Sequence, residues 1–540
     1  MKQSASRLRL LNQRRPVIGC ICASLVAFGC GSSGEEEPSR ATAPEAPQAP
    51  EEVDPDRPAP VDQAPSLPDD TDDTDDVEGS ASATPDTPVD SDEPVTAPEP
   101  PRSCDDSVSF DELFASVAED LRAEGDDGIF LRYISLGNRL NQGICAEDLE
   151  QDRFALIKAL NSLSTEVSIA LPEAIDEYET LYRIDLRDLG WDQPANVDGV
   201  EFADKWEAII ASSAYAIEFE GDDADAAKLD AATTVPLLFS DALIDTAMVG
   251  NLYYALLDIG ESEDELLEQL GIDEEEQEEQ AIVIKVGTSR SRLSAQDAVA
   301  ERLEVENFRG FYWARYDLAA DTGDQSIFAN PLDFQEDAIS AVFSLPNGMT
   351  GYVIFDAAGV RVADTDVIVD QTQRDGRVRN SVSCSQCHAA GLNPITDEVR
   401  AYVESNSRDF DNDTFEEVRD LFRVQSEIDA VIQRDSDQYQ AALARAGIER
   451  AVGDPVSAAY VRFDREVPLD VAAGELGVTP EVLRDDLGFL IAQVDPTLGT
   501  LRAGSLRREQ FDATYLAALC ALSSVNDNRP LAADCAAVGQ

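Results

Sequence analysis

The sequence contains very little histidine, methionine and positive charge. Its 540 residues include one His and three Met, and 41 Lys+Arg stand against 108 Asp+Glu, which gives a formal net charge of −67. A single imidazole excludes centres that need two histidines, such as a HExxH zinc protease or a bis-histidine metal site. The negative charge excludes nucleic acid and anionic lipid surfaces as partners, because each phosphate contact requires an unopposed Lys or Arg. A partner with a basic docking face remains compatible with this charge.

The N-terminal apolar run is too short to span a bilayer, which takes about 20 residues. It covers residues 17–29 and follows a positively charged stretch that contains Lys2, Arg14 and Arg15, a pattern typical of a signal peptide. The run ends at Cys30 after small residues, as in a lipobox. We therefore predict a lipoprotein signal peptide at 1–29, lipidation of Cys30, and an exported protein held by its lipid anchor alone at the outer membrane or at a periplasmic or cell-surface face. Ordinary cleavage that leaves Cys30 as a thiol is the alternative.

Residues 30–103 differ in composition from the rest of the chain. They contain 15 of the 27 prolines and 21 acidic residues, with almost no large apolar side chain. Such a segment cannot bury enough apolar surface to offset its ordering entropy, and charge repulsion and polyproline II bias extend it. We predict a disordered acidic tether that holds the folded part away from the membrane.

The periodicity of residues 104–540 predicts an α+β fold that is mostly α-helical. Residues 104–300 show helical spacing, continuous from 109 to 163 and then interrupted by extended pieces at 167–175 and 180–191. Residues 301–400 contain the β-like segments GFYWARYDL, AISAVFSL and GMTGYVIFDAAGVRVAD, with a hairpin turn at 356–359 and a polar loop at 371–380. Helical spacing returns over 401–540, with a Thr-Pro-Glu helix start at 479–481. Helical N-terminal and C-terminal regions thus flank a β-rich segment.

The β-rich segment leads into the run Ser-Cys-Ser-Gln-Cys-His at 383–388. A CxxCH run is the attachment site of c-type haem, in which two thiols form thioethers with the vinyl groups and the adjacent imidazole binds iron. Two intervening residues let one turn of backbone present both sulfurs to one edge of the porphyrin. We therefore predict one covalently bound haem c on Cys384 and Cys387, with His388 as the proximal iron ligand.

A redox-active dithiol and a zinc site are the alternatives to haem at this motif. A redox-active dithiol would not need the histidine and is expected to open a helix within a βαβ unit. A zinc site would need a fourth ligand from Asp, Glu or a distant Cys, because the chain has no second His.

The other cysteines agree with an exported protein. Cys20 and Cys22 leave with the signal peptide, and an even number remains outside the motif, as an oxidising compartment favours: Cys104, Cys145, Cys520 and Cys535. Three connectivities are possible. We favour the local pairs, Cys104 with Cys145 and Cys520 with Cys535.

The second axial ligand of the iron decides between an electron carrier and a catalyst. No Met follows His388, so the remaining thioethers are Met349, in the turn SLPNGMTGY, and Met248, in the helical region. Met349 is the possible distal ligand, although it equally fits an apolar core. Otherwise the iron is five-coordinate or takes water, Tyr, Asn or Lys285, and an open site would permit small-ligand binding or peroxide chemistry.

The sequence resembles exported bacterial lipoproteins that contain a cytochrome c domain with a single CxxCH motif. The resemblance spans most of residues 150–490 and lies in these segments: LIKALNSLS (156–164), LYRIDLRDLGWD (181–192), FYWARYDL (311–318), IFANPLDF (327–334), FSLPNGMTGYVIFDAAGVRV (343–362), IVDQTQRDGRVRNSVSCSQCHAAG (368–391) and DPVSAAYVRFDREVPLDVAAGELG (454–477). It implies one haem domain elaborated by helices. Only Cys384, Cys387 and His388 carry over as functional residues, and Met349 stands where such proteins commonly have Leu.

Three functions follow as hypotheses. The first is a single-haem electron-transfer protein on the outer face of a membrane, with a redox partner whose docking face is basic. The second is a haem oxidoreductase or small-ligand sensor with an open iron site. The third is a structural or interaction lipoprotein whose motif holds no haem. Whether the chain is an enzyme stays open at this point.

Overall fold

The computed structural model describes residues 104, 106–289, 297–318, 326–334, 336–370, 376–525, 531–532 and 535. The predicted signal peptide, Cys30 and the predicted tether lie outside these residues. Among the described residues 48% are helical and 19% are strand, so the α+β, mostly helical fold class is confirmed. All of them belong to one compact unit, Glu99–Gln540.

The N-terminal part alternates helices with short strands. Its helices are α1 (Phe110–Glu124), α2 (Gly137–Asn141), α3 (Glu150–Ser162), α4 (Lys205–Ser212), α5 (Asp222–Ala231), α6 (Ser240–Ala247), α7 (Gly250–Leu256), α8 (Glu263–Leu270) and α9 (Glu274–Glu279). Its strands are β1 (Leu131–Ser135), β2 (Glu173–Ala174), β3 (Leu181–Asp185), β4 (Ala195–Val197), β5 (Val200–Phe202), β6 (Phe219–Glu220) and β7 (Leu237–Phe239). Four of these strands form a sheet in the order β2-β3-β1-β7.

The predicted helical stretch from 109 to 163 is wrong in one place. Helix α1 begins as the sequence predicts, because Ser109 and Glu112 form a capping box, but the chain then enters strand β1. All the residues of β1 are buried, so the strand lacks the polar-apolar alternation that reveals a half-exposed strand. In the predicted extended piece at 180–191 the strand ends at Asp185, whose side chain caps a 3-10 turn at Leu186–Leu189.

A six-stranded antiparallel sheet occupies the middle of the fold. Its order is β13-β12-β11-β10-β9-β8, with β8 (Ile284–Thr288), β9 (Ala298–Val305), β10 (Gly310–Leu318), β11 (Glu336–Ser344), β12 (Thr350–Asp356) and β13 (Arg361–Val362). The three predicted β segments are strands here, and Gly359, at φ +70°, closes the predicted turn. The sheet starts earlier than predicted, because β8 lies wholly before residue 301 and β9 begins at Ala298.

The two faces of this sheet pack on different neighbours, since successive side chains of a strand point to opposite sides. One face, with Tyr312 and Val353, belongs to the main hydrophobic core together with the N-terminal helices. We call the cluster on the other face the apolar layer; its buried members are Ile284, Val286, Ala300, Phe311, Trp313, Val342, Tyr352, Ile428 and Ile432. The last two come from the long helix α13 (Gln425–Arg445), which therefore covers this face.

The C-terminal part is helical after a short hairpin. The hairpin pairs β14 (Asp364–Val369) with β15 (Arg377–Arg379), so the predicted polar loop at 371–380 is partly strand. The helices are α10 (Val382–Cys387), α11 (Val399–Ser405), α12 (Asn412–Leu421), α13, α14 (Pro455–Phe463), α15 (Leu469–Glu475), α16 (Pro480–Gln493) and α17 (Arg508–Val525), and a last strand β16 (Leu531–Ala532) pairs with β6. Helix α16 begins as predicted, with Thr479 as its N-cap and Pro480 in its first turn.

Two disulfides lie near the first and last described residues of the chain. Cys104 is bonded to Cys145 and Cys520 to Cys535, which is the connectivity favoured from the sequence. In the part of the chain that the structure describes, no helix has both the length and the apolar character needed to cross a bilayer.

Candidate haem-attachment site

The CxxCH motif forms a short helix and its C-terminal cap. Helix α10 carries Cys384 and Cys387 three positions apart, so their side chains lie on the same side of the helix. His388 caps the helix, and its backbone N–H donates to the Cys384 carbonyl at 3.0 Å. Neither cysteine is in a disulfide; Cys384 is half-buried and Cys387 is exposed.

A tight turn at Ser381 starts this helix. The Val382 N–H donates to the Asn380 carbonyl at 2.8 Å, and Ser381 between them has φ 61° and ψ −73°. These are the features of a classical γ-turn, a rare and strained conformation for a residue with a side chain. Asn380 is fixed in turn, because its side chain exchanges two hydrogen bonds of 2.9 and 3.0 Å with the backbone of Gly250. The start of the motif helix is therefore set by contacts outside it.

Ser385, between the two cysteines, ties α10 to helix α14. Its hydroxyl lies 2.9 Å from Ser457 Oγ and 3.3 Å from Asp454 Oδ1. Asp454 caps α14 by accepting from the Ser457 N–H at 2.7 Å. Lys158 of α3 donates to the second oxygen of Asp454, and both side chains are buried, at 4% and 0% exposure. Burial lowers the pKa of Lys158, but Asp454 and Tyr439 together outweigh that effect and leave the pKa raised. The buried ion pair between Lys158 and Asp454 thus stabilises the position of helix α10 through Ser385.

The chain after the motif, residues 389–397, makes a turn and then runs without regular secondary structure along α13; we call this segment the strap. The Leu392 N–H donates to Ser436 Oγ at 3.0 Å, and the side-chain amides of Gln440 and Gln425 donate to the carbonyls of Ala390 and Ile395 at 2.8 and 2.9 Å. Gly391 has φ +117°, and a Cβ at this position would lie 2.7 Å from the Ser436 Cβ. Only glycine fits here, so the path of the strap next to His388 is narrowly determined.

The imidazole of His388 is held in the form that binds a metal. Its Nδ1 lies 3.1 Å from the Gly391 carbonyl. Because a carbonyl only accepts, Nδ1 is assigned the proton, which leaves the lone pair on Nε2. Burial lowers the pKa of His388, opposed by this hydrogen bond, so the neutral ring is favoured. A backbone carbonyl that holds Nδ1 is the usual outer partner of a metal-bound histidine.

The two thiols are in surroundings that disfavour thiolate. Burial raises the pKa of Cys384 to about 12, and the nearby Cys387 and Asp370 reinforce the increase. The pKa of Cys387 is also raised, mainly by burial and to a lesser extent by Asp370. Reactive dithiols instead sit where a helix N-terminus or a cation lowers the pKa. In α10 the cysteines occupy the middle and the last position. This environment disfavours the dithiol alternative and is compatible with thioether formation.

Cys384 also lies next to apolar side chains. Its side chain packs against the apolar layer, together with Leu392 and Ile395 of the strap. A haem edge bonded to Cys384 would therefore meet aromatic and aliphatic side chains. The thiol pair, the Nε2 lone pair and this surface together fit the group that the motif predicts.

The other predicted ligands lie elsewhere. Met349 is fully buried in the main core, on the same side of β12 as Val353, whereas Tyr352 and the apolar layer lie on the opposite side. Met248 is also in the main core, at the C-terminal end of α6. Lys285 pairs with Glu301 at 2.8 Å and with Glu278 at 3.5 Å. None of these contacts brings Met349, Met248 or Lys285 to His388.

Sequence reasoning missed Tyr352, Asp454 and Ser436 as contributors to the site. The sequence around Tyr352 predicts a strand, and the Asp-Pro pair at Asp454 is typical of a helix start. Both residues contact the motif only through tertiary contacts, which the sequence does not reveal. Among the described residues no group of three or more His, Cys, Asp and Glu side chains is arranged to hold a metal ion. Haem iron takes four nitrogens from its porphyrin, so a haem site does not require such a group.

Comparison with known proteins adds no relative. No protein-family model, no curated protein and no solved structure matches the chain.

Proposed function

We propose that this chain is an exported, lipid-anchored c-type cytochrome that binds one haem covalently and transfers electrons. One observation carries the proposal: two free thiols one turn apart on α10 are followed at its C-cap by the only histidine of the chain, whose Nδ1 is engaged and whose Nε2 is left to bind iron. The resemblance to cytochrome c domain-containing lipoproteins supports the same function.

Each residue has a definite task in this proposal. Cys384 and Cys387 would hold the porphyrin as thioethers, and His388 Nε2 would bind the iron. A haem bound there supplies a one-electron ferric–ferrous couple. The two thioether positions have different surroundings, because Cys384 lies against the apolar layer while Cys387 faces solvent. Ser385, Asp454 and Lys158 keep α10 in place, and Gly391 keeps the imidazole in the ligating tautomer.

The charge distribution supports a basic redox partner. Residues 104–540 carry 33 basic and 87 acidic residues, a net charge of −54, so the acidity belongs to the folded part as well as the tether. Electrostatic attraction then speeds association with a positively charged docking face and weakens as salt rises. The tether of 30–103, anchored at Cys30, would let the folded part reach up to about 250 Å from the membrane.

A second function is supported by the position of Met349. Met349 and Met248 both belong to the main core, whereas Cys384 packs against the apolar layer on the opposite face of the sheet, which favours an iron without a thioether ligand. An open position would make the protein a haem oxidoreductase or a small-ligand sensor.

The deciding experiment compares the wild type with Cys384→Ala/Cys387→Ala and with Met349→Leu, all exported in cells that attach c-type haem. Wild-type protein should retain haem after denaturing electrophoresis, the double variant should lose all of it, and Met349→Leu is the matched control that should retain it. Loss of haem from denatured wild type would overturn the proposal. A ferrous spectrum that does not change with CO supports electron transfer, whereas a CO-induced shift in resting protein supports the second function.

A further inference from the structure

The ring of Tyr352 lies beside the imidazole of His388. The two ring centroids are 6.2 Å apart, and the planes are tilted by 34°. Tyr352 is 3% exposed and belongs to the apolar layer, so its phenol cannot swing into solvent. His388 therefore has a fixed aromatic neighbour on one side.

Tyr352 is itself held at both ends. Its backbone N–H donates to the Tyr253 hydroxyl at 3.1 Å, and its own hydroxyl accepts from Thr350 Oγ1 at 2.8 Å. Tyr253 is fully buried, and Thr350 lies two residues earlier on the same face of β12. Neither the backbone nor the far end of the ring is free to move.

Two properties of the imidazole matter for a bound metal: its tautomer and the orientation of its ring plane. The hydrogen bond from Nδ1 to the Gly391 carbonyl fixes the tautomer. A single hydrogen bond at one ring atom still permits small rotations of the ring plane about the Cβ–Cγ bond. A rigid neighbouring ring limits those rotations, because the close-packed interior leaves little room between the two side chains.

We propose that Tyr352 is a positioning residue that fixes the plane of His388, and through it the reduction potential of the haem. This inference rests on the proposed function. The angle of an axial imidazole plane to the porphyrin nitrogens changes its overlap with the iron orbitals, so the plane affects the relative stability of the ferric and ferrous states. Outer partners of a ligand tune metal centres in this way.

The experiment replaces Tyr352 with Phe, which keeps the ring, and with Leu, which removes it. Tyr254→Phe is the control, since Tyr254 is a fully buried tyrosine of the main hydrophobic core, on the opposite face of the sheet from the apolar layer. Covalent haem is measured by denaturing electrophoresis, the reduction potential by spectroelectrochemistry, and the ligand geometry by the g-values of the ferric protein. The Leu variant should change the reduction equilibrium constant at least threefold, about 30 mV at 59 mV per tenfold for one electron, and should shift the g-values. The Phe variant and the control should stay within the threefold limit.

The outcomes separate the inference from the function on which it rests. Wild type without covalent haem overturns both. Haem attached normally to the Leu variant, with unchanged potential and g-values, overturns the inference alone. If the Leu variant does not fold, Tyr352→Met replaces it with the same expectation. A threefold change in the Phe variant would also contradict the proposal, because that variant keeps the ring.

Discussion

Lys158 places a positive charge inside the protein, directly beneath the motif helix. Its only ion-pair partner among the described residues is Asp454, whose carboxylate also receives the Ser457 N–H and lies near Ser385. Removing one member of a buried pair leaves the other charge uncompensated, which costs about 3–5 kcal/mol. Lys158→Met should therefore lower the free energy of unfolding by that amount, measured by urea denaturation.

Two comparisons make the Lys158 experiment specific. Lys228→Met removes a lysine whose partners, Glu218 and Asp225, are near the surface, so it should cost less than about 1 kcal/mol. Adding Asp454→Asn to Lys158→Met removes both charges and should recover part of the loss. Equal destabilisation by the Lys158 and Lys228 variants would show that the buried pair has no special role.

At the scale of elements, a single carboxylate joins helix α13 to the central sheet. Asp435 accepts from Arg302 Nε of β9 and from Trp313 Nε1 of β10, each at 2.9 Å. Both Asp435 and Arg302 are buried. Asp435→Asn removes the buried one of the two carboxylates that pair with Arg302, the other being the partly exposed Glu304 at 3.3 Å. The variant should destabilise the protein by about 3 kcal/mol and change the tryptophan fluorescence, because the charge-assisted hydrogen bond of Trp313 becomes a neutral one.

The same helix provides the control. Asp437 is exposed two residues further along α13, and its side chain accepts only from Gln433 at 2.7 Å among the bonds described. Asp437→Asn should change stability by less than about 0.5 kcal/mol. If it destabilises as much as Asp435→Asn, the contact with the sheet does not explain the effect.

The elements that the sequence predicted well are those with local signals. Strands β10, β11 and β12 contain aromatic and β-branched runs separated by turn residues, so their existence followed from the sequence. Strand β9 was missed because it contains Glu301 and Arg302, charges that usually indicate a surface. Their partners, Lys285 and Asp435, come from other elements, and such pairing is not visible along the chain. The CxxCH motif was found because its residues are contiguous in the sequence. Tyr352 was missed because it meets His388 only through a tertiary contact.

At the scale of the whole molecule, a cluster of carboxylates around Arg508 links distant parts of the chain. Glu475 of α15 forms two hydrogen bonds with Arg508 of α17, at 2.7 and 2.9 Å, and Tyr215 bridges Arg508 to Asp512. Asp245 of α6 faces the same group. Burial raises the pKa of Asp245 to about 7, with Arg508 opposing and Asp512, Asp464 and Glu475 reinforcing. Burial likewise raises the pKa of Glu475 to about 7 despite Arg508.

These raised pKa values predict that stability falls as pH rises. Between about pH 4 and 7 the unfolded chain has already released protons that the folded protein still holds, so each such group lowers the free energy of unfolding by up to about 1.4 kcal/mol per pH unit. The contribution is complete below the unfolded pKa and is lost as pH passes through about 7. Asp245→Asn should flatten this slope in urea titrations from pH 4 to 8, while exposed Asp485→Asn should not. An unchanged slope in Asp245→Asn would contradict the assignment.

The unequal burial of the two motif cysteines has a consequence for how the mature protein is assembled. Cys384 is half-buried and burial disfavours its thiolate, whereas Cys387 is exposed. An alkylating reagent should label Cys387 well before Cys384 in folded protein, and both alike in urea; equal rates in the folded state would refute this order. If this chain binds haem as proposed, the partial burial of Cys384 favours bond formation at this thiol before the surrounding fold is complete.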